Sequence, residues 1–284
     1  MKLLIPGAVF VLMMSVGMSL RHDKMLAAYR RMTWSAWLRL LLATFLVPPA
    51  IALLLPHIFP LTLPEMAGLF MVGVAPGAPL MTRNIAKKGF DMQLAAGYQL
   101  WGALLIPVMI PLVVFTAGQF YNRNIWIPPR VLLTEIAEKQ FFPLLLGMAL
   151  AYLLPVISAK LQPTMTLVGN VVLTVAIVGF LFKLGPTVLK ALTLWLPVAA
   201  LVLAVGSVLA IRFLLRADVL TDRTLAICNA NRHVGLALLL SGQYLHAKAA
   251  LPAVAAYALV APFVMAATSK WFHRGEQAAE SAKG

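Results

Sequence analysis

The sequence predicts an all-α polytopic membrane protein of about nine transmembrane helices, two of them broken near mid-span. Three observations carry this. The chain of 284 residues is 62% hydrophobic and only 11% charged, whereas a soluble domain carries about a quarter charged residues. Its mean hydropathy is +0.90. Its apolar residues gather in runs that approach or exceed the roughly 20 residues needed to cross a ~30 Å hydrocarbon core. A soluble globular enzyme and a disordered chain are both excluded. The net charge of +14 would suggest a nucleic-acid partner in a soluble protein. Here the basic residues sit in loops, and no nucleic-acid partner is expected. The single cysteine, Cys228, rules out an intrachain disulfide.

The first run, 3–20, meets Arg21, His22 and Lys24 directly, with no small-residue cleavage site after it. It reads as a retained span rather than a cleaved leader. The others are 33–55, 66–86, 92–117, 139–156, 164–184, 191–214, 224–245 and 249–270. A mixed approach, 131–138, precedes the fifth, with Pro128-Pro129 ahead of it and Pro155 at its far end. Residues 1–270 are expected to form one transmembrane unit with halves at about 1–118 and 131–270. A polar tail, 271–284, follows, expected to be disordered from Gly275 onward.

The basic residues orient the chain. Arg21, Lys24, Arg30, Arg31, Arg83, Lys87, Lys88, Lys160, Arg212, Arg216, Arg223, Lys270, Arg274 and Lys283 fall on one side. The other side holds Lys2, Arg123, Arg130, Lys183, Lys190 and Lys248. The positive-inside rule places the richer side in the cytoplasm, with the N-terminus outside. The expected location is a plasma (inner) membrane, with the lipid bilayer as partner.

Two runs do not read as plain spans. The third contains Ala75-Pro76-Gly77-Ala78-Pro79, followed by Thr82-Arg83-Asn84. Its prolines remove backbone donors and break the helix. The eighth places Asn229, Asn231, Arg232 and His233 ahead of Gly235 in mid-run. An Arg at a helix centre costs roughly 2.5–3.5 kcal/mol on insertion scales, so such a cluster must face protein or water. Two broken helices, one per half and in opposite senses, point to an inverted-repeat transporter with its site at the midplane.

At these residues the chain resembles the bile acid:sodium symporter family. The likeness runs through Ile5-Pro6 to Leu20, Ala75-Pro76-Gly77 with Ala86-Lys87-Lys88-Gly89 and Asp91, the run Leu104 to Leu112, and Asn231 to Ala237. The resemblance implies nine helices, beginning at what would be the second helix of ten-helix members. Helices one, five and six would form a panel and the rest a core, in which the third and eighth cross. Substrate would bind between panel and core, and the core would move. The resemblance also exposes departures. The family's sodium-ligand positions fall here on Met81 and Thr82, roughly on Ala95 and Gln99, and on Cys228 and Arg232. Sodium needs several oxygen ligands, and a guanidinium offers donors only. The chain reads as a divergent member with no sodium site of the family type, no other metal site and no cofactor.

Arg232 lies too deep to snorkel easily, and it either replaces the charge of sodium, binds an anionic substrate or pairs structurally with a carbonyl. His233, Asn231, Asn229, Thr82, Asn84 and Arg83 are further candidate substrate contacts. Pro76, Gly77, Pro79 and Gly235 are the expected break. His233 could also carry protons as the coupling ion. The expected function is secondary active transport of a small organic anion by alternating access without sodium. The alternatives are a sodium-coupled organic anion symporter and an integral-membrane enzyme. Against an enzyme, the sequence has no H-E-x-x-H, nucleophile elbow or paired carboxylates in one helix.

Overall fold

A computed structural model describes residues 4–19, 32–77, 81, 85, 88–120, 128–191, 195–244 and 247–281. Among them the regular structure is entirely helical: α1 (Leu4–Ser19), α2 (Trp34–Phe45), α3 (Val47–Leu54), α4 (Leu63–Val74), α5 (Met92–Phe120) and α6 (Pro129–Ile136). A π-helical turn (Ala137–Phe141) leads into α7 (Phe142–Leu153). Then come α8 (Pro155–Ala191), α9 (Trp195–Leu214), α10 (Val219–Ala230), α11 (Val234–Tyr244) and α12 (Ala247–Ser281). Among the described residues five helical segments are long and apolar enough to span a bilayer: Trp34–His57, Met92–Gln119, Arg130–Leu153, Trp195–Leu214 and Ala250–Arg274. Shorter apolar helices accompany them at Pro6–Ser19 and Leu63–Val74.

Local chemistry explains where these helices start and bend. Glu65 begins α4 by accepting from the Thr62 N–H at 2.7 Å and the Thr62 hydroxyl at 2.9 Å, a capping box. Asp91 Oδ1 accepts from the Gln93 and Leu94 N–H groups at the start of α5. Asp218 does the same for α10 through the Thr221 N–H at 3.0 Å. Three structural departures from the sequence reading have physical causes. The second run is divided at Leu46, because Pro48 and Pro49 supply no N–H to the preceding turn. The fifth begins at Pro129 and passes through the π turn, where the Phe142 N–H donates to the Ala137 carbonyl. Pro143 cannot donate to Lys139, and its ring would crowd that carbonyl. Finally, α12 continues to Ser281 instead of ending in disorder. Glu276, Ala278, Ala279 and Glu280 are strong helix formers.

Among the described residues the buried side chains form two cores. The larger joins α2 to α5 with α9 to α12, through residues such as Leu69, Phe70, Ile110, Leu203, Ile227 and Val254. The smaller holds Val9, Met13, Val16 and Leu144, where α1 packs against α7 and α8. This is a panel and a core. Small residues let panel backbones touch. A Cβ on Gly17 would collide with the Leu144 carbonyl, and one on Gly147 with that of Met14.

Candidate functional site

The site grows from helix ends. The α4 helix stops at Val74, ahead of Pro76 and a Gly77 held at φ +69°, a conformation glycine adopts freely. The α10 helix stops at Ala230 and α11 starts at Val234. The two interruptions meet, with the His233 N–H donating to the Ala75 carbonyl at 2.9 Å. Two helix C-termini, the electronegative ends, therefore face one point. The N-terminus of α11, an electropositive end, begins beside it.

Arg232 occupies that point with 2% of its surface exposed. Its Nη1 donates to the Thr44 carbonyl at 2.9 Å and the Gly73 carbonyl at 3.3 Å. Its Nη2 donates to Asn229 Oδ1 at 2.9 Å. Each oxygen has a reason to be available. Thr44 lies four residues before Pro48, which has no N–H to give it. Gly73 is in the last turn of α4, where carbonyls lack helical partners. Asn229 in turn donates from Nδ2 to the Ala43 carbonyl at 3.0 Å and the Ser207 carbonyl at 2.7 Å, and accepts from the Tyr98 hydroxyl at 2.9 Å. The Tyr257 hydroxyl closes the end of α10 by donating to the Ala230 carbonyl at 2.6 Å. As a substrate contact, Arg232 is placed differently from the sequence expectation. Both its terminal nitrogens are engaged by protein oxygens. The same holds for Asn229, whose amide makes four hydrogen bonds inside the core.

His233 is 1% exposed and faces two ways. Nδ1 accepts from the Leu236 N–H at 3.0 Å, capping α11. Nε2 therefore carries the ring proton in the neutral form, and it has no hydrogen-bond partner among the described residues. Asn231 is half-buried at the end of α10. A Cβ on Gly235 would lie 3.3 Å from His233 Cε1 and 3.4 Å from Val9 Cγ2 and Leu173 Cδ2. This is where the break touches the panel. Pro79, Thr82, Arg83 and Asn84 fall outside the described residues.

Met81, Ala95 and Cys228, at three of the positions where the resemblance would put sodium ligands, are fully buried and carry no side-chain oxygen. A cavity of about 390 Å³ between α2, α3 and α5 is lined by Leu42, Phe45, Phe70, Met109 and Val113 among others. Its near-wholly apolar wall suits hydrocarbon rather than an anion.

The sequence reading named Arg232 and Asn229 but missed their partners Ala43, Thr44, Gly73, Ser207 and Tyr98. The Pro48-Pro49 pair was the available signal, because it exposes main-chain oxygens in mid-span.

A multi-spanning helical protein in which two broken helices meet inside the core has the architecture of a membrane transporter. The model of the Sodium Bile acid symporter family matches residues 6–192, well over half of the chain, and the protein belongs to that family. The match covers the first break and ends before the second, so Asn229 to Gly235 lie beyond it. A comparison with curated proteins returned no significant match.

Proposed function

We propose that the protein is a secondary active transporter of a small organic anion, working by alternating access between panel and core, and that its transport does not require sodium. One observation carries the reading: a buried guanidinium sits on oxygens from three helices at the meeting point of two helix C-termini. In broken-helix transporters such helix ends and unwound carbonyls hold the coupled cation. Arg232 puts a covalently attached positive charge there, and no ion has to be recruited. The anion then binds next door, at the electropositive start of α11, where His233 Nε2 offers an unspent donor. The halves 1–118 and 131–270 act as two inverted repeats, each contributing one broken helix. His233 could additionally carry a coupled proton.

The family's description favours a second reading, sodium-coupled symport. Uptake by proteoliposomes separates them. Organic anions are offered in sodium or in potassium at equal ionic strength. At least one anion should accumulate above empty liposomes, equally in both salts. Folded protein that moves no organic anion overturns the transport reading. A strong sodium requirement overturns the role given to Arg232.

A further inference from the structure

Gln140 lies in the π-helical turn and is 3% exposed, and neither its amide nitrogen nor its amide oxygen has a hydrogen-bond partner among the described residues. A buried carboxamide with every bond unmade is costly, and most such groups in native proteins are satisfied. The stripe Gln140, Leu144 and Gly147 follows helical spacing on one face, and all three are buried. That face meets α1 within the panel. Leu144 packs on Val9, Met13 and Val16, flanked by Ala103 and Leu104 of α5. Val9 is also the neighbour of Gly235 at the break. The π turn itself contacts both α1 and α5. Gln140 therefore stands about one turn beyond Leu144 in the same seam between panel and core, across which the anion must pass. π turns recur at functional positions, and this one re-aims residue 140 just ahead of Pro143.

We infer that Gln140 is a specificity-determining contact on the panel for an organic anion bearing a hydroxyl or amide group beside its carboxylate. The inference rests on the transport reading and adds the substrate class. The amide NH₂ donates to the carboxylate. The amide oxygen accepts from the neighbouring O–H or N–H, which a plain carboxylate lacks. His233 addresses the same ligand from the core side.

The test uses the full chain in detergent and the shape-matched substitution Gln140→Met. Melting is followed without ligand, then with three pairs: lactate and propionate, malate and succinate, mandelate and phenylacetate. Without ligand, Gln140→Met should melt higher by about 2–4 °C, because an unmet amide has been removed. In the wild type the hydroxylated member of at least one pair should bind about tenfold tighter. In Gln140→Met that preference should fall to near one. A variant that melts lower, or does not accumulate folded, makes the amide structural and overturns the assignment. Equal binding of both members of every pair by the wild type also overturns it, while leaving transport of an anion standing. No response of the wild type to any of the six overturns the transport reading, and this assignment with it.

Discussion

Arg232 is held by two main-chain oxygens and the Asn229 side chain, and this decides what its loss should do. Among the described residues, Arg232→Ala removes the only side-chain donors to the Thr44 and Gly73 carbonyls, and one of two donors to Asn229 Oδ1. Each buried oxygen left short costs about 1–3 kcal/mol. The total should resemble a broken buried ion pair, about 3–5 kcal/mol. The variant's melting temperature should fall accordingly, and millimolar guanidinium ion should partly restore it where potassium does not. Equal stability of variant and wild type would make the charge dispensable. This site was only half legible in the sequence. A lone Arg among Asn and His in an apolar run announces itself. Its partners do not, because a carbonyl leaves no mark in the residue alphabet. No acidic residue in a neighbouring run signalled one, and backbone oxygens took that place.

At the scale of elements, breaks and caps were the readable features. Pro76 and Gly77 ended α4 as their chemistry requires, and Gly235 fell one residue inside α11. The π turn and the division at Leu46 follow from Pro143 and from Pro48-Pro49, whose effect depends on which carbonyl each proline leaves unpaired. Gly235 is the close approach of α11 to the panel. Gly235→Ala introduces contacts of 3.3–3.4 Å with the side chains of His233, Val9 and Leu173, which can give by a few tenths of an ångström. The variant should keep a near-native melting temperature yet lose most of its uptake rate, because the methyl catches where panel and core slide. Wild-type uptake would mean that this contact does not move. The α10 cap predicts a pH dependence. Hydrogen bonds from Thr221 hold the exposed Asp218 carboxyl below its ordinary value of 3.8. A depressed acid stabilises the fold above its unfolded value and loses that contribution as pH falls through the folded one. Asp218→Ala should therefore cost about 0.5–2 kcal/mol at neutral pH. The gap from wild type in melting temperature should narrow as the pH drops below about 4. A gap that does not change with pH would exclude the carboxylate as its source.

For the whole molecule, composition alone gave the class, since 11% charged residues cannot coat a soluble surface. The nine apolar runs were visible because the bilayer imposes a length on each. The separation into panel and core was not visible by pattern. It depends on which small residues meet across helices, as Gly17 and Gly147 do, and it entered only through family likeness. Orientation remains readable through charge, and Cys228 makes it testable. That cysteine is fully buried, so an introduced one can be labelled over a low background. Arg130→Cys, exposed at the start of the fifth span, should react with a membrane-impermeant maleimide in intact cells. Lys160→Cys, exposed at the start of α8, should react only after permeabilisation. The reverse pattern would invert the topology.

The central claim is that a protein guanidinium stands where a sodium ion would otherwise be bound. It is tested most directly by melting the purified wild-type protein over a series of sodium chloride concentrations, matched in ionic strength with potassium chloride. A ligand that binds only the folded state raises the melting temperature with its concentration. The account predicts coincident curves, within about 1 °C at every concentration. A rise specific to sodium that grows along the series would contradict it.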